Sequence, residues 1–360
     1  MKSRKKIALI ASDFPPFYSG YSFYNYNLFN KYIEKHNNIF LITSKNININ
    51  KNNIITVNWK ISSIFSILKF LRNNEINIIN IQYPNILYGR YNIFPHLLVI
   101  ILRLLKYDVI TTIHEFLNIH FIRRLSEIVF FIFSQKVIVT SFFEKDVINK
   151  YLRISRKKIN VIPIGSNVPI VKTGKNKNNS VIAYFGMFYP DKKIEEVINL
   201  FRQIELSEKS NIKFKMIGAA HQYYMKYLKK IIELGEKSIK NLEWKLNLTQ
   251  EQLEKEFSNI DISVLFYNDG ASLRRGSLLA SIINGIPVIT NKGKYINELK
   301  ILEGKGIFYF DSNSIQNNRI IHELLNNPEF YKKCSVELKK YSYYFSFERV
   351  VKDYEKILEI

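Results

Sequence analysis

The stretch Asp261–Thr290, DISVLFYNDGASLRRGSLLASIINGIPVIT, decides the fold class of this 360-residue chain. Its apolar runs, its turn residues and the glycine at Gly285, which is typical of a helix end, divide it into four parts. These parts are a strand at Asp261–Tyr267, a turn at Asn268–Gly270, a helix at Gly276–Asn284 and a second strand at Ile286–Thr290. A strand, a helix and a strand in this order are typical of one unit of a parallel α/β sheet.

The helix in this stretch begins directly after two arginines, Arg274 and Arg275. A helix N-terminus that follows a strand has free N–H groups and a partial positive charge, so it is suited to bind an anion. Guanidinium groups can also bind a phosphate through two parallel hydrogen bonds. The pattern indicates a phosphate or diphosphate ligand, and the alternative is an arginine pair on a solvated helix start.

The chain is strongly basic, because 53 Lys and Arg residues stand against 31 Asp and Glu residues and leave a formal net charge of +22. Such a charge favours anionic partners: nucleic acid, anionic lipid or phosphorylated substrates. The positive residues are spread along the sequence, so we interpret the charge as a mild preference for an anionic surface. A basic nucleic-acid-binding protein is the least favoured alternative, because no nucleic-acid module is recognisable, and we expect no nucleic-acid partner.

Residues that hold metals or form disulfides are scarce. Cys334 is the single cysteine, which excludes a disulfide framework and a cysteine metal site, and the six histidines are scattered. Met1–Lys6 leads directly into a strand pattern rather than a cleavable apolar segment, and no apolar run reaches the ~18 residues of a membrane span. We therefore expect a cytoplasmic protein without a metal site, and leave open a peripheral position at the inner face of the cell membrane.

Strand and helix patterns alternate along the first half of the chain. Strands are predicted at Ile7–Ala11, Ile39–Thr43, Ile76–Gln82, Val109–Ile113, Lys136–Thr140 and Ile159–Ile162. Helices are predicted at Tyr21–Lys35, Ser63–Arg72, Pro95–Lys106, Ile122–Phe133 and Phe142–Leu152. This alternation predicts a mostly parallel sheet with helices on both faces.

The second half repeats this alternation around the opening stretch. Further strands are predicted at Val181–Phe185, Phe214–Ile217 and Gly306–Phe310. Further helices are predicted at Ile194–Ile204, Tyr223–Ser238, after a capping box at Thr249–Gln252, and at Ile315–Leu325, Pro328–Tyr341 and Phe347–Leu358. The polar stretch Lys172–Ser180 predicts a linker, with the domain boundary near Val168. The predicted fold is therefore α/β, with two doubly wound Rossmann-like domains facing across a cleft.

Two helices of the first half allow two interpretations. Leu97–Lys106 is apolar on most of its circumference, and Phe121–Phe133 carries aromatic residues beside a basic pair. Basic residues beside aromatic residues can lie in a lipid headgroup layer. We favour helices that face the core, because a helix that is apolar almost all round is usually buried.

Polar residues and glycines stand where predicted strands end, which is where open α/β sheets bind their ligands. In the first half these residues are Ser19, Gly20, Gln82, Tyr83, His114 and Glu115. In the second half they are Gly186, Lys192, Gly218, Asp269, Ser272, Arg274 and Arg275. Singly, each could be a solvated side chain or a turn residue, but together they indicate one site between two domains.

Several short motifs strengthen this interpretation. They are Phe14-Pro-Pro-Phe-Tyr-Ser-Gly20, Thr112-Ile-His-Glu115, Ile162-Pro-Ile-Gly165, Tyr184-Phe-Gly186 with Lys192, Gly285-Ile-Pro-Val288 and Phe345-Ser-Phe-Glu-Arg349. Taken together over nearly the whole chain, they resemble the motifs of GT-B glycosyltransferases of the family 4 group. That family transfers sugars from nucleotide diphosphates with retention of configuration.

The chain also departs from the family pattern. Met187 stands where the family has a diphosphate-binding arginine, and Ser272 and Ala280 stand where it has paired glutamates. The segment Asp269–Ser277, DGASLRRGS, instead resembles a branch of the family that carries Asp-Gly-x-Ser-x-Arg-Arg-Gly-Ser. We expect Arg274 or Arg275 to replace the missing arginine, and Asp269 or Ser272 to meet the donor sugar.

The resemblance implies a role for each candidate residue. The catalytic residues would be His114, Asp269 and Ser272. The donor diphosphate would bind at Gly186, Lys192, Arg274, Arg275, Gly276 and Ser277, and the donor nucleotide at Gly218 and Ala280. The acceptor would bind at Ser19, Gly20, Tyr21, Gln82, Tyr83 and Glu115.

The resemblance also implies domains and a reaction. Residues 1–168 would bind the acceptor, residues 169–343 would bind the nucleotide sugar, and residues 344–360 would form a helix that crosses back to the first domain. The reaction would be a retaining, metal-independent transfer to a hydroxyl of a glycan or lipid-linked acceptor in bacterial surface polysaccharide or glycoconjugate synthesis, with the nucleotide sugar as co-substrate and no cofactor. The alternative is a catalytically silent GT-B subunit that stabilises a partner transferase.

Overall fold

The computed structural model describes residues 5–17, 19–45, 52–89, 93–117, 119–152, 157–172, 180–208, 211–220, 222–310 and 315–359. The chain forms two compact units: Met1–Gly165 together with Phe347–Ile360, and Ser166–Ser346. The sequence analysis places these boundaries at residues 168 and 344. Most of the predicted linker, residues 173–179, lies outside the described residues.

The first unit is built on a seven-stranded parallel sheet. Its strands are β1 (Ile7–Ile10), β2 (Ile39–Ser44), β3 (Ile54–Val57), β4 (Ile78–Tyr83), β5 (Asp108–Ile113), β6 (Lys136–Val139) and β7 (Ile159–Val161). Its helices are α1 (Gly20–Lys35), α2 (Ser63–Asn73), α3 (Phe94–Leu104), α4 (Phe121–Phe133) and α5 (Phe142–Leu152). The strand order is β3-β2-β1-β4-β5-β6-β7, so the chain starts beside the central strand, runs to one edge of the sheet and then continues from the centre to the other edge.

The second unit repeats this architecture on a six-stranded parallel sheet. Its strands are β8 (Ser180–Met187), β9 (Ile212–Ala219), β10 (Leu242–Leu246), β11 (Ile262–Leu265), β12 (Val288–Thr290) and β13 (Ile307–Tyr309). Its helices are α6 (Ile194–Ser207), α7 (Met225–Ser238), α8 (Gln250–Phe257), α9 (Gly276–Ile283), α10 (Ile315–Asn326) and α11 (Pro328–Lys339). The strand order is β10-β9-β8-β11-β12-β13. The last helix of the chain, α12 (Phe347–Leu358), belongs to the first unit.

The helices of the first unit divide between the two faces of its sheet. The connection from β1 to β2 runs in one direction along the sheet, and those through α2 to α5 run in the other, so right-handed crossovers place α1 opposite α2–α5. The buried apolar residues follow this division. One cluster joins the sheet to α2–α5, and the other joins it to α1 and α12.

The prediction of parallel α/β units is confirmed, although two strands were not predicted. These are β3 and β10, and each is the outermost strand at one edge of its sheet. Their side chains are mostly half-exposed, so they lack the buried apolar run by which the other strands are recognised. The capping box at Thr249–Gln252 is confirmed, and Gly285 has the positive φ of 66° that a helix stop requires.

Both apolar helices of the first unit face the core on one side only. Helix α3 buries Leu98, Val99 and Leu102, and α4 buries Phe130 and Phe131. These buried residues confirm the favoured interpretation that both helices face the core. The outward sides carry exposed apolar residues as well, so neither helix is enclosed all round. Among the described residues, no helix combines the length and the apolar character that are needed to span a membrane.

Candidate functional site

The first feature of the candidate site is a close approach of two strands at the carboxyl edge of the second sheet. Gly186 in β8 and Gly218 in β9 lie opposite each other in the parallel register. A Cβ atom at Gly218 would overlap the carbonyl oxygen of Gly186, so only glycine fits there. The two glycines therefore bring the loops that follow β8 and β9 together.

The loop from β11 to α9 is held at its start by Asn291, which follows β12. The side-chain oxygen of Asn291 accepts from the backbone N–H of Tyr267 at 2.9 Å, and its amide nitrogen donates to the Tyr267 carbonyl at 2.7 Å. Gly270 has a φ of 83° and packs so closely on Gly293 that neither position has room for a Cβ. These contacts fix the backbone from which Asp269 and the two arginines project.

Two cations lie against the ring of Tyr267. The guanidinium carbon of Arg275 is 4.9 Å from the ring centroid, and the ammonium of Lys192 is 5.7 Å from it. Tyr267 is buried, and its hydroxyl is 2.7 Å from that of Ser277 in the first turn of α9. Burial lowers the pKa of Lys192, and the nearby charge of Arg275 lowers it further. Two cations therefore lie side by side on one ring, and the Lys192 ammonium also lies 3.4 Å from the carboxylate of its neighbour Asp191.

Arg275 also contacts an anion supplied by the protein. Its guanidinium pairs with the carboxylate of Asp269, while its buried Nε–H has no hydrogen-bond partner among the described residues. Arg275 is the N-cap residue, directly before the first residue of α9, and no side chain caps this helix end. The first N–H groups of α9, the Arg275 guanidinium and Lys192 together form an arrangement that suits a bound phosphate group.

Arg274 points to a different set of residues. Its guanidinium carbon lies 5.5 Å from the Tyr295 ring centroid, and one of its terminal nitrogens is 3.4 Å from the Tyr295 hydroxyl. The carboxylate of Glu298 accepts from the backbone N–H of Leu273 at 3.3 Å. The structure therefore brings Arg275, not Arg274, to Lys192. Glu298 supports the loop that joins β11 to α9 through its contact with Leu273.

Other predicted donor residues are enclosed. Ser272 is only 1% exposed, and its backbone carbonyl accepts from the Arg275 N–H at 3.1 Å. Ala280 is buried in α9 and packs in an apolar cluster with Ile217 and Ile286. Gly218 has the steric role described above. Contacts of these three positions with a donor stay predictions.

In the first unit, His114 lies at the end of β5 within a polar network. Its Nε2–H donates to the side-chain oxygen of Gln82 at 2.8 Å, and the Gln82 amide in turn donates to Asn80 and Thr112. The Tyr354 hydroxyl of α12 is 2.8 Å from that of Thr112. This buried network fixes which imidazole nitrogen carries the proton.

The loop before α1 lies beside His114. Ser19 caps α1 by accepting from the Ser22 N–H at 3.0 Å, and its hydroxyl donates to the buried Asp13 carboxylate at 3.2 Å. Asp13 also accepts from the backbone N–H groups of Ile86 and Leu87. Gly20 is the first residue of α1, and the ring of Tyr21 is 5.4 Å from that of His114. Ser19, Gly20, Tyr21, Gln82 and His114 are thus brought together.

Tyr83 is separated from this group. Successive side chains of a strand point to opposite faces, so Tyr83 faces away from its neighbour Gln82. Its ring packs between α3 and α4, 5.4 Å from the ring of His96 and below the guanidinium of Arg123. Glu115, directly after His114, is half-exposed. The structure therefore does not bring Tyr83 to the other predicted acceptor residues.

Sequence reasoning missed four residues of the donor site, which are Tyr267, Asn291, Tyr295 and Glu298. Asn291 follows a predicted strand, so the rule about strand ends could have found it. Tyr267 was predicted as part of an apolar strand, and no sequence pattern signals Tyr295 or Glu298. Within the described ranges no group of three or more His, Cys, Asp or Glu side chains is placed to hold a metal ion.

The sequence of the second unit matches a known family. Residues 169–341 match the family described as "Glycosyl transferases group 1". No curated protein matches the chain.

Solved structures resemble the chain over nearly its whole length. Anabaena Alr3699/HepE in complex with UDP and glucose has a TM-score of 0.74 at 12% identity, with 99% of this chain and 100% of that chain covered. Sucrose-phosphate synthase from Thermosynechococcus elongatus has a TM-score of 0.72 at 14% identity, with 99% and 98% covered. WaaG, a glycosyltransferase involved in lipopolysaccharide biosynthesis, has a TM-score of 0.63 at 11% identity, with 98% and 99% covered.

These likenesses identify the fold of both units as that of the GT-B glycosyltransferases. The matched segment covers nearly all of the second unit, including Lys192, Tyr267 and the start of α9. The match to the glycosyl transferases group 1 family is thus one of residues 169–341, and over the rest of the chain the likeness is one of fold.

Proposed function

We propose that this protein is a retaining, metal-independent glycosyltransferase of the family 4 group. It moves a sugar from a nucleotide-diphosphate sugar to a hydroxyl group of a glycan or lipid-linked acceptor. The observation that carries this proposal is the placement of Lys192 and Arg275 on one aromatic ring, at an uncapped helix start within the segment that matches the family.

The proposed chemistry uses these cations on the leaving group. The bond between the anomeric carbon and the diphosphate oxygen breaks, and a bond from that carbon to the acceptor oxygen forms. The acceptor proton passes to the leaving diphosphate on the same face of the sugar, which retains the configuration. Lys192, Arg275 and the first N–H groups of α9 stabilise the negative charge that develops on the diphosphate. This neutralisation by side chains needs no metal ion.

Asp269 is the residue that we assign to the donor sugar in place of the family's first glutamate. Its carboxylate pairs with Arg275, so it lies beside the proposed diphosphate position. Ser272 is too enclosed to approach a sugar directly, and we give it a supporting role in the same loop. His114 is assigned to the reaction because the hydrogen bond to Gln82 orients its imidazole at the end of β5.

The acceptor is proposed to bind at the first unit, around Ser19, Gly20 and Tyr21. Two relatives of the same fold support the substrate class: Alr3699/HepE was solved with UDP and glucose, and WaaG is involved in lipopolysaccharide biosynthesis. We propose a related role for this chain, in bacterial surface polysaccharide or glycoconjugate synthesis at the cytoplasmic side of the membrane.

A thermal-shift panel tests the donor part of this proposal. UDP, GDP, ADP, CMP and dTDP are added separately to the wild type and to Arg275→Ala, with Lys193→Ala as control. Lys193 precedes α6 and pairs with Glu196. A ligand at about 100 times its dissociation constant adds about 2.7 kcal/mol, which raises Tm by several degrees for a domain of this size. We expect one nucleotide diphosphate to raise Tm of the wild type and the control, and much less that of Arg275→Ala.

A turnover assay distinguishes an active transferase from a catalytically silent subunit. The silent subunit is the alternative suggested by Ser272 and Ala280, which stand where the family has its paired glutamates. The donor sugar of the identified base is incubated with the protein and a bacterial membrane extract that supplies glycan and lipid-linked acceptors, and release of free nucleotide diphosphate is measured. Release that Arg275→Ala abolishes supports the enzyme. Nucleotide binding without release, or no shift with any nucleotide, contradicts it and favours the subunit that stabilises a partner transferase.

A further inference from the structure

Large apolar side chains are exposed at one edge of the first unit, at or just before the N-terminal ends of α2, α3, α4 and α5. Phe65, Ile122 and Phe121 are 76%, 69% and 64% exposed. We call this set the apolar edge, and its members are Ile61, Phe65, Ile86, Ile93, Phe121, Ile122, Leu125, Phe142 and Phe143. Every helix on this face of the sheet contributes to it.

The topology of the sheet explains why these residues form one surface. Each of the four helices follows a strand of the parallel sheet, so each begins at the carboxyl edge. All four pack on the same face of the sheet and share one buried apolar cluster, and α3 packs directly on α4. Axes of packed helices lie about 8–10 Å apart. Their first turns therefore form a row about 30 Å long.

Packing of the fold does not account for this exposure. The same helices contribute other residues to the core, such as Ile67 in α2, Leu98 in α3 and Phe131 in α4. Leaving several large apolar side chains in water costs free energy, and contiguous apolar surface on a protein marks an interaction site. The apolar edge thus has the properties of a surface that is covered by a partner.

Charged residues beside the apolar edge favour an anionic partner. Lys60 and Lys145 lie among its members and are at least partly exposed. Arg123 and Arg124 are partly exposed there too, although Arg123 lies over the Tyr83 ring and Arg124 donates to backbone carbonyls between β5 and α4. The carboxylates of Glu115 and Asp146 are the exposed or half-exposed negative groups beside these four cations. Two further glutamates in this region are buried: Glu144 accepts from the Phe116 N–H at 3.0 Å, and burial raises the pKa of Glu127 well above its ordinary value. The exposed charge among the described residues of the row is therefore positive, as is the charge of the whole chain.

We propose that the apolar edge is the surface by which this protein docks onto an anionic lipid bilayer, with the rings and aliphatic side chains in the headgroup layer and the cations on lipid phosphates. Apolar side chains together with basic residues are the combination that such a layer binds. The surface deepens the proposed function, because it lies at the carboxyl edge of the sheet that we assign to a lipid-linked acceptor. Its test uses neither donor nor acceptor, so the two proposals can fail separately.

Vesicle flotation tests the docking surface directly. The full chain is mixed with vesicles of phosphatidylcholine alone or of equimolar phosphatidylcholine and phosphatidylglycerol. We expect the wild type to float with the mixed vesicles and much less with phosphatidylcholine. The double variant Phe121→Ser/Ile122→Ser should bind the mixed vesicles at least about tenfold more weakly, and Lys60→Glu/Lys145→Glu should lose the preference for phosphatidylglycerol.

A matched control separates binding by the apolar edge from non-specific binding by exposed apolar side chains elsewhere on the first unit. Leu104 and Ile132 are 73% and 60% exposed but lie at the opposite ends of α3 and α4, so Leu104→Ser/Ile132→Ser should bind vesicles like the wild type. Equal loss in this control, unchanged binding by Phe121→Ser/Ile122→Ser, or no vesicle binding by the wild type would overturn the proposal. A wild-type dimer that Phe121→Ser/Ile122→Ser dissociates, without vesicle binding, would instead assign the surface to protein contacts.

Discussion

Asp269 and Arg275 form an ion pair within the loop that joins β11 to α9. The carboxylate thus contacts the same guanidinium that we assign to the donor diphosphate. An anion that binds there must compete with Asp269 for Arg275 or share it. The pair therefore couples nucleotide binding to the position of the residue that we expect to meet the donor sugar.

Removing the negative charge of Asp269 should strengthen nucleotide binding and weaken turnover. In Asp269→Asn the guanidinium no longer has a carboxylate partner, and an exposed or half-exposed ion pair is worth about 1 kcal/mol or less. We expect the dissociation constant of the nucleotide diphosphate to fall by about threefold to fivefold, measured by titration calorimetry.

The control for this change is Glu196→Gln, which removes a carboxylate that pairs with Lys193. It should leave both binding and turnover unchanged. Weaker binding by Asp269→Asn would show that Asp269 supports the diphosphate site rather than competing with it.

Lys192 should make nucleotide binding sensitive to alkaline pH. Burial and the nearby Arg275 lower its pKa below the ordinary value of 10.5, so it loses its proton, and its charge, at a lower pH than an exposed lysine. Affinity for the diphosphate should therefore fall as the pH rises toward that value. Tyr267 stays neutral there, because burial raises its pKa to about 12.

The variant Lys192→Arg tests this assignment, because a guanidinium keeps its proton throughout the range. Titrations at increasing pH should show the loss of affinity in the wild type and in Lys193→Arg, and a flat profile in Lys192→Arg. The same decline in all three proteins would assign the titration to another group.

The close approach of Gly186 and Gly218 should make Gly218 intolerant of any side chain. In Gly218→Ala the new methyl group overlaps the Gly186 carbonyl, so one of the strands must move. Overpacking of this kind costs typically about 1–3 kcal/mol, and Tm should fall by several degrees. Gly276→Ala is the matched control, because a Cβ there has no neighbour within 4 Å; a similar loss in both would refute the steric explanation.

Glu127 should make the free energy of unfolding of the first unit depend on pH. Burial is the main cause of its raised pKa, and the negative charges of Glu144 and Glu115 add to it, while Arg123 opposes it. The folded protein holds this proton at pH values where the unfolded chain has lost it, so its contribution to stability is complete below the ordinary glutamate pKa and is lost as the pH rises.

Glu127→Gln keeps the shape of the neutral acid without the titration. The variant should match the wild type in acid and exceed its stability at higher pH, by up to about 1.4 kcal/mol for each pH unit before the folded group ionises. Denaturant unfolding at several pH values measures this difference. Glu251→Gln, at an exposed position in α8, should show no such trend.

The fold could be predicted largely because its central strands are buried on both faces. Runs such as Ile7–Ile10 and Ile262–Leu265 are apolar without interruption, which is the pattern of a parallel sheet covered by helices. The edge strands β3 and β10 have mostly half-exposed side chains and no such pattern. Their membership of the sheet follows from backbone hydrogen bonds, which sequence periodicity does not encode.

The candidate site could be predicted only in part, because strand ends are visible in a sequence and side-chain directions are not. Lys192 and Arg275 were both predicted and do lie together. The ring of Tyr267, against which both cations lie, belongs to a run that reads as an apolar strand. Glu298 is far along the chain from Leu273, which it contacts. Tyr83 was grouped with Gln82 although adjacent strand residues point to opposite faces.

Binding of a diphosphate at Lys192 and Arg275 is the central claim, and calorimetry with ligands of decreasing charge tests it most directly. The nucleotide diphosphate that stabilises the protein, its monophosphate and its nucleoside are titrated into the wild type and into Arg275→Ala. We predict tight binding of the diphosphate alone, weakened by about tenfold or more in the variant, because a charge-assisted hydrogen bond contributes about 1.5–3 kcal/mol. Equal affinity for all three ligands, or an affinity that Arg275→Ala leaves unchanged, would contradict the account.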